Sequence, residues 1–388
     1  MKSHIQHLAA ELERMGHSTH IITSATGKAG RVSEPHVTKL GWAVPIPWNG
    51  SIARIAVSPQ LARQTREVLE REQFDVVHLH EPFAPALPLT TMHVLKGLNT
   101  ISVGTFHAFS LHSPISMPRF AYSFGRPFLR RYFDRLSGHI AVSPAAHEFV
   151  SHYFPGRYEI IPNGVDLHRF SVQAEPLPQF QDGKHNILYL SRLEPRKGLK
   201  YLLHAIPRIR AQYPNTRFII ASDGPQRAYF ENFVQQQGWP DVVFTGFVSS
   251  EELPRYYASC DVFCAPSTGS ESQGVVLLEA MASNKAVVAS DIDGYRDVIR
   301  SGAEGLLVPP RDSAALAEAI CRLLADATLR LAMGERGREH AGEYSWPRLA
   351  SHIVEYYQTL IDRRASLINQ KQHTLPSHNE EKELRIRR

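Results

Sequence analysis

Two rhythms of apolar residues alternate along this chain. Short continuous runs of Val, Ile, Leu and Phe are separated by longer stretches in which apolar residues recur every three or four positions. The short runs are "STHIIT", "FDVVHLH", "TISVGTF", "GHIAVS" and "YEIIP", then "NILYLS", "TRFIIAS", "DVVFTG", "DVFCAP", "AVVAS" and "GLLVP". Runs without polar alternation, each followed by a helical segment, predict parallel strands covered on both faces. The expected fold class is α/β with doubly wound sheets.

The rhythm breaks at "FSVQAEPLPQFQDGKH", Phe170 to His185, which is aperiodic and carries prolines and so reads as a linker. We therefore expect a domain over 1–170, a second over 171–345, a helix over 346–364 that crosses back to the first domain, and a disordered polar tail over 365–388. The start differs from an ordinary doubly wound domain, which opens on a strand and a glycine-bearing loop. Ile5, Leu8, Leu12 and Met15 instead share one helical face, and "STHIIT" follows. The N-terminal domain is thus expected to lack its first strand.

A length of 388 residues suits two domains, and 43% apolar with 21% charged residues describes an ordinary globular chain. No run approaches the roughly 20 apolar residues of a membrane span and no signal peptide opens the chain, so the expectation is a cytoplasmic protein. The net charge of +5 suits anionic substrates, a membrane surface or nucleic acid. No basic patch interleaved with aromatics is read, which sets nucleic acid aside. Cys260 and Cys264 lie in "SCDVFCAP", a buried strand without partner ligands, so they and Cys321 read as core and no metal is expected.

Candidate chemistry gathers at strand ends. "YLSRLEPRKG" places Arg192, Arg196 and Lys197 between a strand and a helix, the pattern of a phosphate clamp, although a solvated loop would carry the same residues. "GSESQGVVLLEA" carries Glu271 ahead of a helix starting near Gly274 and Glu279 two turns on. A carboxylate suits the two hydroxyls of a ribose, so Glu279 is the candidate for that task. Glu271 could equally be a first-turn charge. His107 follows "TISVGTF" and could bond a sugar hydroxyl, whereas His78, His80 and Glu81 read as structural or acceptor-facing and not as catalysts. "IIPNGVD" is turn chemistry at the domain junction.

In this order, "NGVD", "SRLEPRKG", the Glu271 to Glu279 spacing and "EAMASNKAVVASDIDG" resemble the retaining family-four glycosyltransferases of GT-B fold, over about residues 2 to 360. "AVPIPWNGSIARI", "FDVVHLHEPFAPALP" and "GTFHAFS" look most like the phosphatidylinositol mannosyltransferases. The resemblance implies two Rossmann-like domains facing a cleft, GDP-mannose as donor, a phosphatidylinositol acceptor, and peripheral work at the inner face of the cell membrane. It implies that Arg192, Arg196 and Lys197 hold the diphosphate, Glu279 the ribose, and Glu271 and His107 the sugar. Ser272, Gln273, Gly274, Val275 and Val276 would supply backbone amides, and Asn49, Ser51 and Arg54 match the acceptor side. Cations replace a metal in this scheme, so none is required. "SPQLARQTREVLEREQ" corresponds to a membrane-docking helix, but Glu67, Glu70 and Glu72 interleave with its Arg63, Arg66 and Arg71 and predict weak attraction. A UDP-sugar donor with another lipid or saccharide acceptor, and a non-catalytic sugar-nucleotide binder, are the alternatives.

Overall fold

The computed structural model describes residues 2–24, 32–34, 36–48, 51–109 and 117–373. Its C-terminal sheet runs β12-β11-β10-β13-β14-β15, all parallel. These strands are β10 (His185–Leu190), β11 (Thr216–Ala221), β12 (Val242–Gly246), β13 (Val262–Ala265), β14 (Ala286–Ser290) and β15 (Gly305–Val308). Successive residues serve opposite faces, as the period of two demands. Ile187, Tyr189, Phe218 and Ile220 enter one buried cluster, while Leu188, Ile219 and Ala221 enter the other. That is why the strands read as continuous apolar runs.

The N-terminal half is divided. β6 (Val76–His80), β7 (Ile101–Phe106), β8 (Gly138–Ala141) and β9 (Glu159–Ile160) form a parallel sheet. A separate sheet holds β1 (Ile21–Ser24), β2 (Val32–Glu34) and β3 (Val37–Leu40), in the order β1-β3-β2. All residues of β1 and β6 line a cavity of about 2000 Å³ between the two sheets. Ile5, Leu8 and Leu12 of the first helix (Lys2–Arg14) and Val354, Tyr357 and Ile361 of the last helix also line it, as do Phe83, Leu87 and Tyr122. The cavity lies where a doubly wound sheet would carry a central strand.

All eleven expected strands are present. The ribbon of β4 (Trp42–Trp48) and β5 (Ser51–Val57) was not expected. Asn49-Gly50 between them is a two-residue hairpin signal, but Pro45 and Pro47 argue against a strand interior. A two-stranded ribbon tolerates them because both of its strands are edges.

The last helix, Trp346–His373, runs nine residues beyond the expected end at Arg364. Its extension "ASLINQKQH" is rich in helix formers and contains neither glycine nor proline, so polarity alone did not make it tail. Residues 374–388 lie outside the described residues. Trp346, Leu349, Ala350, Ile353 and Leu360 of this helix pack with Leu8, Ile101, Val103 and Ile140 of the N-terminal half. Among the described residues no helix is long and apolar enough to cross a membrane.

Candidate active site

On the C-terminal side the site grows from the carboxyl ends of β10 and β13. After β10 the chain passes Arg192, forms a single 3-10 turn over Pro195–Lys197 and enters the helix Leu199–Gln212 at Gly198. Gly198 has φ +72°, and a Cβ there would stand 1.8 Å from the Pro266 carbonyl oxygen. Glycine therefore lets the cationic turn lie directly against the loop after β13. The Thr268 amide completes the junction by donating to the Arg196 carbonyl at 2.8 Å.

This contact brings the cations onto Glu271. Lys197 Nζ is 2.7 Å and Arg196 Nη1 3.0 Å from Glu271 Oε1. The carboxylate also accepts from the Ser267 hydroxyl at 3.4 Å. Behind the cations sits Glu194, only 4% exposed, with Arg192 Nε at 3.2 Å and Arg196 Nε at 3.3 Å. None of the Glu194 contacts is aligned as a hydrogen bond, so this carboxylate acts on the two guanidinium groups through charge. The sequence reading missed Glu194; its position between Arg192 and Arg196 was the available signal.

The loop reaches the helix Val275–Ala282 through Gly274. A Cβ on Gly294 would lie 2.1 Å from the Glu271 carbonyl oxygen, so that glycine admits the loop. The Gly274 amide donates to the Gly294 carbonyl at 3.2 Å and the Val275 amide to the Gln273 carbonyl at 3.0 Å. Two of the five residues expected to offer amides to phosphate, Ser272 to Val276, therefore have theirs engaged within the protein.

Glu279 lies apart from the cations. Its Oε2 accepts from the Tyr257 hydroxyl at 2.8 Å. Part of the side chain remains accessible, yet burial pushes its pKa up to about 7, opposed by the Tyr257 hydrogen bond and by Arg169.

Gln273 joins the two halves. Its Oε1 accepts from the Asn163 backbone N–H at 2.6 Å and from the Asn163 side chain at 2.7 Å, and its Nε2 donates to the Asn163 carbonyl at 3.3 Å. The Ser143 hydroxyl donates to the Ser272 carbonyl nearby. "IIPNGVD", read as a turn, thus carries a side chain that holds the loop bearing Glu271 and Gln273.

Across from it, three imidazoles meet. His80 ends β6 and His107 follows β7, with His80 Nδ1 3.1 Å from His107 Nε2. His4 lies edge-on to both, with ring centroids 5.0 Å apart in each case. Burial holds His4 down to about 4 and depresses His80 and His107 well below the usual histidine range, so all three are neutral near pH 7. The Glu81 carboxylate accepts from the His107 backbone N–H at 2.6 Å, and burial raises Glu81 to about 7. His4 was not foreseen, because nothing in a helical face shows which histidine will meet a strand end far along the chain.

The ligand atoms of His4, His80 and His107 all lie within 4.8 Å of one another. Such a nitrogen set suits zinc or its neighbours and not the oxygen-rich shell of a magnesium diphosphate site. Cys260, Cys264 and Cys321 are buried and free. Of the acceptor-side residues, Asn49 is outside the described residues, while Ser51 and Arg54 lie in β5 opposite Trp48 and Pro45.

Residues 1–169 match the model of "Glycosyltransferase Family 4", and residues 184–326 that of "Glycosyl transferases group 1". The chain is 34% identical over 362 residues to the phosphatidyl-myo-inositol mannosyltransferase of Mycolicibacterium smegmatis, covering 93% of this chain and 90% of that one. The protein of the same name from Propionibacterium freudenreichii is 31% identical over 390 residues, with 97% and 96% covered. Among solved structures, sucrose-phosphate synthase from Thermosynechococcus elongatus superposes with a TM-score of 0.74 at 22% identity, covering 92% of this chain and 93% of that one. Anabaena Alr3699/HepE in complex with UDP and glucose gives 0.64 at 22% identity, covering 83% and 86%.

Proposed function

Since the chain belongs to the family-4 glycosyltransferases, with the two Rossmann-like domains of the GT-B fold, we propose that it transfers mannose from GDP-mannose to phosphatidylinositol with retention of anomeric configuration. The observation that carries the donor half is the cluster of Arg196, Lys197 and Glu271 at the carboxyl edge of the second sheet. Full-length similarity to proteins named for phosphatidyl-myo-inositol supports the acceptor half. In this reading residues 171–345 bind the donor and 1–170 present the acceptor, at the inner face of the cell membrane.

The ion pairs suggest how donor binding primes the site. A diphosphate competes with Glu271 for Lys197 and Arg196, and Arg192 adds a third cation. Released from the cations, Glu271 can accept hydrogen bonds from the sugar. Glu279, as carboxylate, takes the ribose hydroxyls. The C1–O bond to the phosphate breaks as the acceptor oxygen forms its bond to C1 on the same face. The acceptor's proton passes to the departing phosphate oxygen. Positive charge fixed at the leaving group lowers the barrier, an effect typically worth about 10²-fold or more per group. Neutral His107 can share a hydrogen bond with the sugar without adding charge, and closure of the two halves excludes water.

The experiment is to incubate the protein with GDP-mannose or UDP-glucose, with and without phosphatidylinositol vesicles, and to follow nucleotide release and lipid product. GDP release and a mannosylated lipid whose anomeric configuration matches the donor are expected. Turnover of UDP-glucose alone, product without phosphatidylinositol, or an inverted anomer would overturn the corresponding part.

A further inference from the structure

We infer that the helix Met117–Phe133, and not the charge-interleaved helix Leu61–Glu72, is the face that docks this protein on an anionic bilayer. The inference deepens the lipid-acceptor reading and rests on it for the choice of a bilayer. Tyr122, Leu129 and Phe133 of this helix are buried in the N-terminal core. At 100° per residue they span about 40°, and Phe124, Phe128 and Arg131 fall within about 60° on the opposite side. Phe124 is 75% exposed and Phe128 53% exposed, two large apolar side chains on one solvent face. Arg135, just beyond the helix, continues the same arc, with its guanidinium over the Tyr132 ring. Asp134 is the one acid from 117 to 135; it points elsewhere and is paired with Arg130 at 2.8 Å. Among the described residues Arg131 makes no ion pair; Arg126 makes none either, but it falls about 40° from Tyr122, on the side away from Phe124 and Phe128.

The other helix is built in the opposite way. Arg63 pairs with Glu67, Arg66 with Glu70 and Arg71 with Glu72, and Leu61, Val68 and Leu69 are turned inward. It presents neither net charge nor a large apolar side chain to a lipid surface. Attraction to an anionic leaflet grows with each uncompensated Arg or Lys, and insertion grows with apolar area, so both terms favour Met117–Phe133. A second copy is a poorer occupant, because a two-fold contact through this face would gather the arginines of both copies, and no acid from the same arc, into one interface. The expectation that no basic patch carries interleaved aromatics is thereby corrected. The alternation is helical, so the patch emerges only once the buried face is known.

The test is co-sedimentation with vesicles of phosphatidylcholine mixed with phosphatidylglycerol, compared with pure phosphatidylcholine and with a single-stranded oligonucleotide. The parent protein is expected to bind the anionic vesicles, and Phe124→Ser with Phe128→Ser to lower partitioning by on the order of 10²-fold. Arg131→Glu should lower it about 10-fold, and Arg63→Glu with Arg66→Glu should leave it within about twofold. Phe124→Trp should keep binding and shift its fluorescence to the blue when vesicles are added. Circular dichroism and melting, unchanged because these side chains are exposed, separate lost docking from lost folding. Loss of binding in the Arg63/Arg66 variant but not in the Phe variant overturns the assignment, and so does retention by the oligonucleotide in place of vesicles. GDP release without lipid reports on the donor reading separately, so the two can fail independently.

Discussion

β10 is hydrogen-bonded along both edges, to β11 and β13, and buried on both faces. In the N-terminal half, β1 pairs only with β3 and β6 only with β7 among the described residues, and the two share a large cavity. The same kind of apolar strand therefore ends up either locked in a six-stranded sheet or exposed along one edge. Each half of the candidate site inherits its setting. The Arg196, Lys197 and Glu271 cluster stands at the end of the locked strand. His80 stands at the end of β6, on the edge of the cavity, with His107 one strand further in.

The largest contrast should appear in amide hydrogen exchange. Amides of β10 and β11 can exchange only through large-scale unfolding, whereas those of β1 and the cavity-facing edge of β6 need only local opening. We expect β1 and that edge to exchange at least about 10³-fold faster than β10. Equal protection in both halves would remove the comparison.

Lys197→Ala tests whether the locked half supplies the leaving-group charge. Turnover should fall by roughly 10²-fold or more. The melting curve should shift little, because Glu271 keeps Arg196 and Ser267 as partners and no core packing is deleted. Unchanged turnover would mean that the Lys197 to Glu271 contact is an internal ion pair and nothing more.

The strands and the cationic turn could be read from sequence because each depends on a local pattern: an apolar run, or charges packed between a strand and a helix. The pairing of Lys197 with Glu271 joins residues 74 positions apart, and the sequence reading put both at one site without foreseeing their contact. Gln273 with Asn163 is a different case. Nothing marks an amide side chain in "ESQG" as the fastener of a distant turn, because that bond exists only when the two halves meet. The β4 and β5 ribbon was hidden by its prolines, and the end of the last helix by its polarity.

Glu279 offers a smaller effect with a pH signature. With its pKa raised by burial to about 7, the carboxyl is increasingly protonated below that pH and loses acceptor capacity. Donor KM should therefore rise as pH falls through about 7, and Glu279→Gln should raise it roughly 10-fold, the loss of one charge-assisted hydrogen bond. The variant should also flatten this part of the pH profile. A donor KM that is indifferent to pH and to the substitution would take the ribose away from Glu279.

The smallest effect is the sharpest test of packing, because one substitution should be costly in one half and not in the other. Ala280 is fully buried against the core of the second sheet. Ala280→Leu must displace close-packed neighbours and should cost about 1–3 kcal/mol. Ala9 lines the cavity of the first half, where three added carbons meet open volume in a lining that also holds Leu8, Leu12 and Ile22. Ala9→Leu should therefore stabilise by up to about 1 kcal/mol, or leave stability unchanged where the added carbons stay wet. Urea midpoints, followed by tryptophan fluorescence, would compare the two variants. A loss for Ala9→Leu as large as that for Ala280→Leu would show that the space between β1 and β6 is closed by side chains in solution, and that the first half is packed as tightly as the second.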